Sequence, residues 1–165
     1  RSDTLWESDA VYIDQAKADS AETPLWKGHF IIPLEGRIST EYGQIRYINN
    51  VESGRHSGLD IAASNGTPIK AANDGIIRLS KSLNVTGNTI IIDHGLNINS
   101  SYCHLSRLLV KQGVFVRKGD IIGTVGSTGF STGPHLHWNI CASEVFVNPW
   151  LLMQEDPLAW LEVSS

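Results

Sequence analysis

The chain has six histidines in 165 residues, and four of them fall in three short clusters. His135 and His137 stand two apart in Gly133-Pro134-His135-Leu136-His137-Trp138, directly after a run of small polar and glycine residues. Alternate residues of a strand point to one face, so both imidazoles look into the same space. His56 and Asp60 form an HxxxD upstream, and His104 lies between the two motifs. Imidazole and carboxylate together suit a divalent metal, zinc first among them where nothing in the set suggests redox work.

Spacing restricts how such an ion is held. Residues four apart on a straight strand are about 13 Å apart, too far to share an ion. The HxxxD pair therefore needs a bend, expected at Ser57-Gly58, that folds His56 back toward Asp60. The HxH pair is separated by about 6.6 Å on a strand, so one member binds and the other stands beside the ion. Two His and one Asp give three protein ligands. A structural zinc site has four, whereas a catalytic one has three and keeps a position for water. An ion so held acidifies that water to a pKa on the order of 7.

The elements that position these groups read as strands and turns. Residues 36–42, 59–63, 67–72, 75–80, 88–93, 100–104, 119–125 and 135–141 are strand-like, and the apolar run 28–34 ends at Pro33. Ile90-Ile91-Ile92 is β-branched throughout and reads as buried on both faces. The polar stretch 44–55 reads as a loop. Asp74-Gly75, Gly87-Asn88 and His94-Gly95 are turn signals, which makes His94 a turn residue. His29 stands outside every cluster and reads as surface or core edge. Residues 5–20 carry apolar side chains at rough helical spacing, and residues 151–160 suggest a short helix broken at Pro157. The fold class is mainly β: a small antiparallel β-sheet or sandwich forming a groove, with a short N-terminal helical arm. The expected divisions are an arm or linker over 1–26, one domain over 27–152 and a tail over 153–165.

Composition narrows the partners. The length suits one domain with a real core. No apolar run approaches the roughly 20 residues of a membrane span. The net charge of −4 sits entirely in residues 1–24, which hold six acids against Arg1 and Lys17. The remainder is balanced and has no basic stripe, which argues against a nucleic-acid partner. A start at Arg1 is expected of a piece of a longer protein, any signal or anchor being upstream. Two cysteines are too few for a disulfide framework. Strand parity turns Cys103 away from the face of His104 and puts Cys141 on the face of His137.

The set His56-Ser-Gly-Leu-Asp60, Tyr102-Cys-His104-Leu-Ser106 and Gly126-Ser-Thr-Gly-Phe-Ser-Thr-Gly-Pro-His135-Leu-His137 resembles the lysostaphin/LytM-type zinc endopeptidases, which cleave bacterial peptidoglycan peptides. The resemblance spans about residues 30–150, including Gly119-Asp120-Ile121-Ile122-Gly123 and Asn148-Pro149-Trp150. It implies a duplicated hybrid motif fold, with His56, Asp60 and His137 as zinc ligands. It also implies His104 and His135 as non-ligand catalytic histidines, a peptidoglycan peptide as substrate and an extracytoplasmic place of action. Trp138 stands where relatives often carry Phe. Beside these, Tyr102 shares strand parity with His104 and is expected to line the groove and touch substrate. Tyr42 and Tyr47 are candidates to donate a hydroxyl to an oxyanion. Ser127, Thr128, Ser131 and Thr132 either touch substrate or only turn the chain.

Two other readings compete. One is a non-catalytic member of the same fold that binds wall or a partner in division or sporulation; the complete ligand set argues against it. The other rests on residues 113–123, which resemble the β-hammerhead of biotinyl and lipoyl carriers. Such carriers need an exposed turn lysine soon after the motif, and no lysine follows Lys118.

Overall fold

The computed structural model describes residues 2–163. Arg1 of the expected arm and residues 164–165 of the expected tail lie outside them. Helix α1 (Ser2–Ala18) is followed by β1 (Arg37–Thr40), β2 (Ile45–Ile48), β3 (Val51–Arg55), β4 (Leu59–Ala62), β5 (Pro68–Lys70) and β6 (Gly75–Ser82). Strands β7 (Asn88–Gly95), β8 (Ile98–Leu108), β9 (Phe115–Val116), β10 (Ile121–Val125), β11 (His135–Ala142) and β12 (Val145–Val147) complete the β structure. Helices α2 (Pro149–Gln154) and α3 (Leu158–Val163) close the chain. The main sheet runs β1-β4-β11-β8-β7-β6-β9 and every pair in it is antiparallel.

Three two-residue turns close hairpins, two of them in this sheet. Asn49-Asn50, Leu96-Asn97 and Ser143-Glu144 all have positive φ at both positions, the twist that a tight hairpin needs. The first turn overturns the loop expected over 44–55, where β2 and β3 pair as a separate hairpin. Its strands are short and largely exposed, so no core-facing alternation marks them, and Asn-Asn is the available signal.

The second turn corrects the reading of His94, because the chain reverses at Leu96-Asn97 and His94 lies within β7, fully buried. Its Nδ1–H donates to the Asp74 carbonyl at 2.8 Å, and its Nε2 accepts from Ser100 Oγ at 2.8 Å. Tyr102 Oη lies 2.8 Å from Ser100 Oγ and accepts from the Ala72 amide at 3.0 Å. This internal chain explains why buried polar groups are tolerated beside Phe30 and Trp138 in the core.

The Ile90-Ile91-Ile92 run is buried on both faces. Ile90 and Ile92 join the main core. Ile91 packs on the other side with Leu79, Leu83 and Ala16, so α1 covers the second face of the sheet. Asp9 of α1 is 1% exposed, and its carboxylate accepts from the Asn84 amide, Asn84 Nδ2 and the Val85 amide at 2.7–3.1 Å. Further along the arm, Ser20 Oγ and the Ala21 amide donate to Asp93, and Trp26 Nε1 donates to Asp156. At the other end, the Leu152 carbonyl accepts from the Phe30 amide.

Burial pushes the His94 imidazole down to about 4. Between about pH 6.5 and that value the unfolded chain binds a proton that the folded chain excludes, so stability falls as pH falls. The loss attributable to this residue reaches about 3 kcal/mol near pH 4. Urea unfolding at pH 7 and pH 4.5 should show it, and His94→Asn should flatten the difference.

Candidate active site

His137 on β11 pairs directly with Asp60 on β4, and across the other edge of β11 with Cys103 on β8. Directly opposed residues share a face, so Asp60 and His137 meet: His137 Nδ1 is 2.8 Å from Asp60 Oδ1. His56 reaches the same carboxylate through the expected bend, with Nε2 3.2 Å from Asp60 Oδ2. Gly58 makes the bend possible. A Cβ there would collide with the Trp138 carbonyl oxygen, so only glycine lets the segment lie against β11.

The donor atoms of His56, Asp60 and His137 all lie within 4.8 Å of one another, a geometry that could hold a metal ion. The proton arrangement fits one. His56 is 2% exposed, and its Nδ1–H donates to the Glu41 carbonyl at 3.1 Å. Its Nε2 therefore turns a lone pair toward a carboxylate, an arrangement that only a cation or an added proton relieves. Burial of Asp60 opposes ionisation. The hydrogen bonds that His137 and His56 give it when protonated, and the charge they then carry, outweigh that and hold the carboxyl well below the usual range. Asp60 is an anion in wait of a cation.

Asn139 is the next residue of β11 on the face of His137, and the sequence carries no signal for it. It is 7% exposed, its amide nitrogen is 3.3 Å from His137 Nε2, and its Oδ1 has no partner among the described residues. If His137 gives its Nδ1 lone pair to an ion, Nε2 carries the proton and needs an acceptor. A half-turn of the Asn139 amide supplies one.

His104 and His135 stand beside this cluster with ring centroids 4.9 Å apart. A β-bulge brings His104 there. Asn88 pairs with Leu105 and Ile90 with Tyr102, so β8 carries one residue more than β7 between the two pairs. His104 takes φ +67, and its amide donates to the Thr86 carbonyl. Bulges re-aim side chains in this way. The consequence reverses two expectations. Cys103 and His104 line the same cleft, while Tyr102 turns into the core, fully buried, and cannot line the groove.

His104 Nδ1–H donates to the Thr128 carbonyl at 2.7 Å, and His135 Nδ1–H donates to the Gly133 carbonyl at 2.9 Å. Both rings thus keep the Nε2 lone pair free, and His135 Nε2 lies 4.0 Å from Asp60 Oδ1. Burial lowers the pKa of His104, and the neighbouring His135 and His137 lower it further. Burial pushes the Cys103 thiol up to about 12, so it offers no thiolate nucleophile.

The four histidines and Asp60 open into a cleft of about 1220 Å³. Its walls are α1 (Trp6, Ile13, Lys17), the β2–β3 hairpin (Arg46, Arg55) and the loop carrying Phe130, Ser131 and Thr132. Thr128 serves the fold, its Oγ1 accepting from the Asn88 amide and donating to the Leu105 carbonyl. Tyr42 donates to the Phe146 carbonyl, Tyr47 is an exposed residue of the hairpin, and neither lines the cleft. His29 is exposed, as expected. Cys103 and Cys141 are both free; they stand opposite His137 and Asn99, four rungs apart on the ladder.

Residues 54–149 match the model of peptidase family M23. The chain belongs to this family. It is 44% identical over 94 residues to the peptidoglycan DD-endopeptidase ShyC of Vibrio cholerae, covering 57% of this chain and 22% of ShyC. Among solved structures, a zinc-containing peptidase from Vibrio cholerae superposes with TM-score 0.70 at 27% identity, over 75% of this chain and 40% of that one. The catalytic domain of lysostaphin from Staphylococcus simulans superposes with TM-score 0.64 at 33% identity, over 72% and 92%. The chain spans less than a third of the length of the curated relatives it matches. Lysostaphin and the M23 match bear out the mainly β fold and the family resemblance.

Two substitutions test how the cluster is built. Gly58→Ala should cost about 1–3 kcal/mol through overpacking, read by thermal unfolding. Asn139→Leu should weaken zinc affinity by about 10–100-fold in a chelator competition, while Asn139→Asp, which keeps an acceptor, should retain most of it.

Proposed function

We propose that the chain is a zinc-dependent endopeptidase that hydrolyses D,D-peptide cross-links of bacterial peptidoglycan. The observation that carries this reading is Asp60 between two imidazoles, with two further histidines at its side. The name of ShyC supports the D,D bond, and its identity to this chain exceeds that of lysostaphin. Such a substrate lies outside the cytoplasmic membrane, so the place of action is extracytoplasmic. Among the described residues no helix is long and apolar enough to cross a membrane.

His56 Nε2, Asp60 and His137 Nδ1 hold the zinc. What the ion supplies when bound is Lewis-acid polarisation and a water of lowered pKa. The remaining chemistry falls to side chains. His104, neutral near pH 7 and fixed by Thr128, accepts the proton of the attacking water at Nε2. His135 Nε2 is a second place for that proton on its way to the departing amine, and the Gly133 carbonyl keeps the ring oriented. The extended substrate lies along β11, with Phe130 and α1 on either side. The unreduced donor set goes against a purely binding role.

Sacculi digested with the protein should release new amines whose fragment masses name the bond. His104→Ala should lower kcat by about 10²–10⁴-fold with zinc content unchanged. His137→Ala should lose zinc and activity together. Full activity in either variant overturns the assignment.

A further inference from the structure

Two loops outside the sheet ladder converge on His104. Its Nδ1–H donates to the Thr128 carbonyl at 2.7 Å, and its amide donates to the Thr86 carbonyl at 2.8 Å. Thr86 belongs to the turn over residues 83–87, which joins β6 to β7. The Val85 carbonyl of the same turn accepts from the Phe130 amide at 2.8 Å, and so holds the loop that carries Thr128. The Asn88 amide, next after the turn, donates to Thr128 Oγ1 at 2.9 Å. The two loops also touch backbone to backbone, because a Cβ at Gly129 would collide with the Gly87 amide and the Val85 carbonyl. Whatever fixes the turn therefore fixes both supports of His104.

The fixing point is Asp9 of α1. One carboxylate oxygen accepts from the Asn84 amide at 2.9 Å and from Asn84 Nδ2 at 3.1 Å, and the other accepts from the Val85 amide at 2.7 Å. All three bonds run to the turn, and Asp9 is 1% exposed, so water does not compete for them. A loop alone is a poor platform for a reacting group, whereas a helix is a precise one. The need is greater here because His104 has φ +67, a conformation that persists only where its surroundings over-determine it. Every group facing Asp9 is an N–H donor, so both of its oxygens must accept. An asparagine there keeps the shape but turns an NH2 toward an N–H.

We infer that Asp9 is a positioning residue for His104: its carboxylate locks the β6–β7 turn, and the turn presents the carbonyls that set the histidine and its supporting loop. Asp9 does not line the cleft and acts at a remove, through those carbonyls. It also lies outside residues 54–149, the stretch that matches the family. The inference rests on the endopeptidase reading above, in which His104 accepts the proton of the attacking water.

The test compares Asp9→Asn with Leu79→Ala, which cuts into the packing under α1 and leaves the bonds from Asp9 to the turn in place. On a soluble cross-linked peptide, the zinc-loaded Asp9→Asn chain should lose about 10–100-fold in kcat, with KM and zinc affinity within about twofold of wild type. Leu79→Ala should unfold more easily but keep kcat within about twofold. In amide NMR spectra the His104 and Phe130 signals should shift in Asp9→Asn and stay in place in Leu79→Ala. An unchanged kcat in folded Asp9→Asn, an equal loss in Leu79→Ala, or unmoved His104 and Phe130 signals overturns the assignment. Native-state hydrogen exchange on wild type decides the matter even if Asp9→Asn fails to fold. The Val85, His104 and Phe130 amides should be released by one shared opening as denaturant is raised. A Val85 amide that exchanges while the other two stay protected overturns the coupling. If wild type cuts no peptide, the endopeptidase reading fails, and the NMR and exchange results still decide whether Asp9 holds His104 in place.

Discussion

The site depends on one carboxylate held between two imidazoles. Asp60 is ionised although burial opposes it, and two ring nitrogens aim at its oxygens from 2.8 and 3.2 Å. In a metal-free chain such lone pairs repel unless a proton intervenes, so the geometry is costly for the fold alone and favourable around a cation. Much of the rest follows from it. The β4–β11 register sets Asp60 opposite His137, and the bend at Gly58 returns His56 to the same point. The Glu41 carbonyl then fixes which nitrogen of His56 faces inward.

The second constraint is the bulge in β8. A regular strand would have sent His104 into the core beside Tyr102, among apolar groups with no partner for an imidazole, and turned Leu105 out into the cleft. One extra residue puts His104 in the cleft and leaves Tyr102 free to join the buried chain through Ser100 to His94. The left-handed backbone at His104 is unfavourable for a residue with a Cβ. It is held by the bond to the Thr86 carbonyl on one side and the imidazole bond to the Thr128 carbonyl on the other.

These two constraints explain what could be read from residues alone. Ligand candidates were legible because their chemistry is rare in combination and their spacing restricts geometry: HxH on a strand, HxxxD around a glycine. Most strands were legible from β-branched runs. Facing was not, wherever the ladder is irregular. Tyr102 and Cys103 were assigned by parity, and parity fails at an insertion that only the partner strand reveals. His94 was misread because a histidine before glycine looks like a turn, whereas the real turn, Leu96-Asn97, carries a weak signal. Asn139 and Asp9 were invisible for another reason. An asparagine on a strand and an aspartate on a helix are ordinary, and their meaning lies in contacts across the chain.

Helix α1 shows how far contacts across the chain can change an element's meaning. By composition it is an acidic arm, separable from the body at Pro24. By packing it is the cover for Leu79, Leu83 and Ile91, which would otherwise be an apolar patch on the sheet. Asp9, one of the acids that made the segment look like a solvated tail, satisfies three donors of the turn between β6 and β7. With that anchor in place, the neighbouring face of the helix is held over the cleft, which Ile13 and Lys17 line. A wall fixed at this many points behaves as part of the peptidase body. The acidic excess of residues 1–24 therefore divides into a structural share, carried by Asp9, and a solvated remainder.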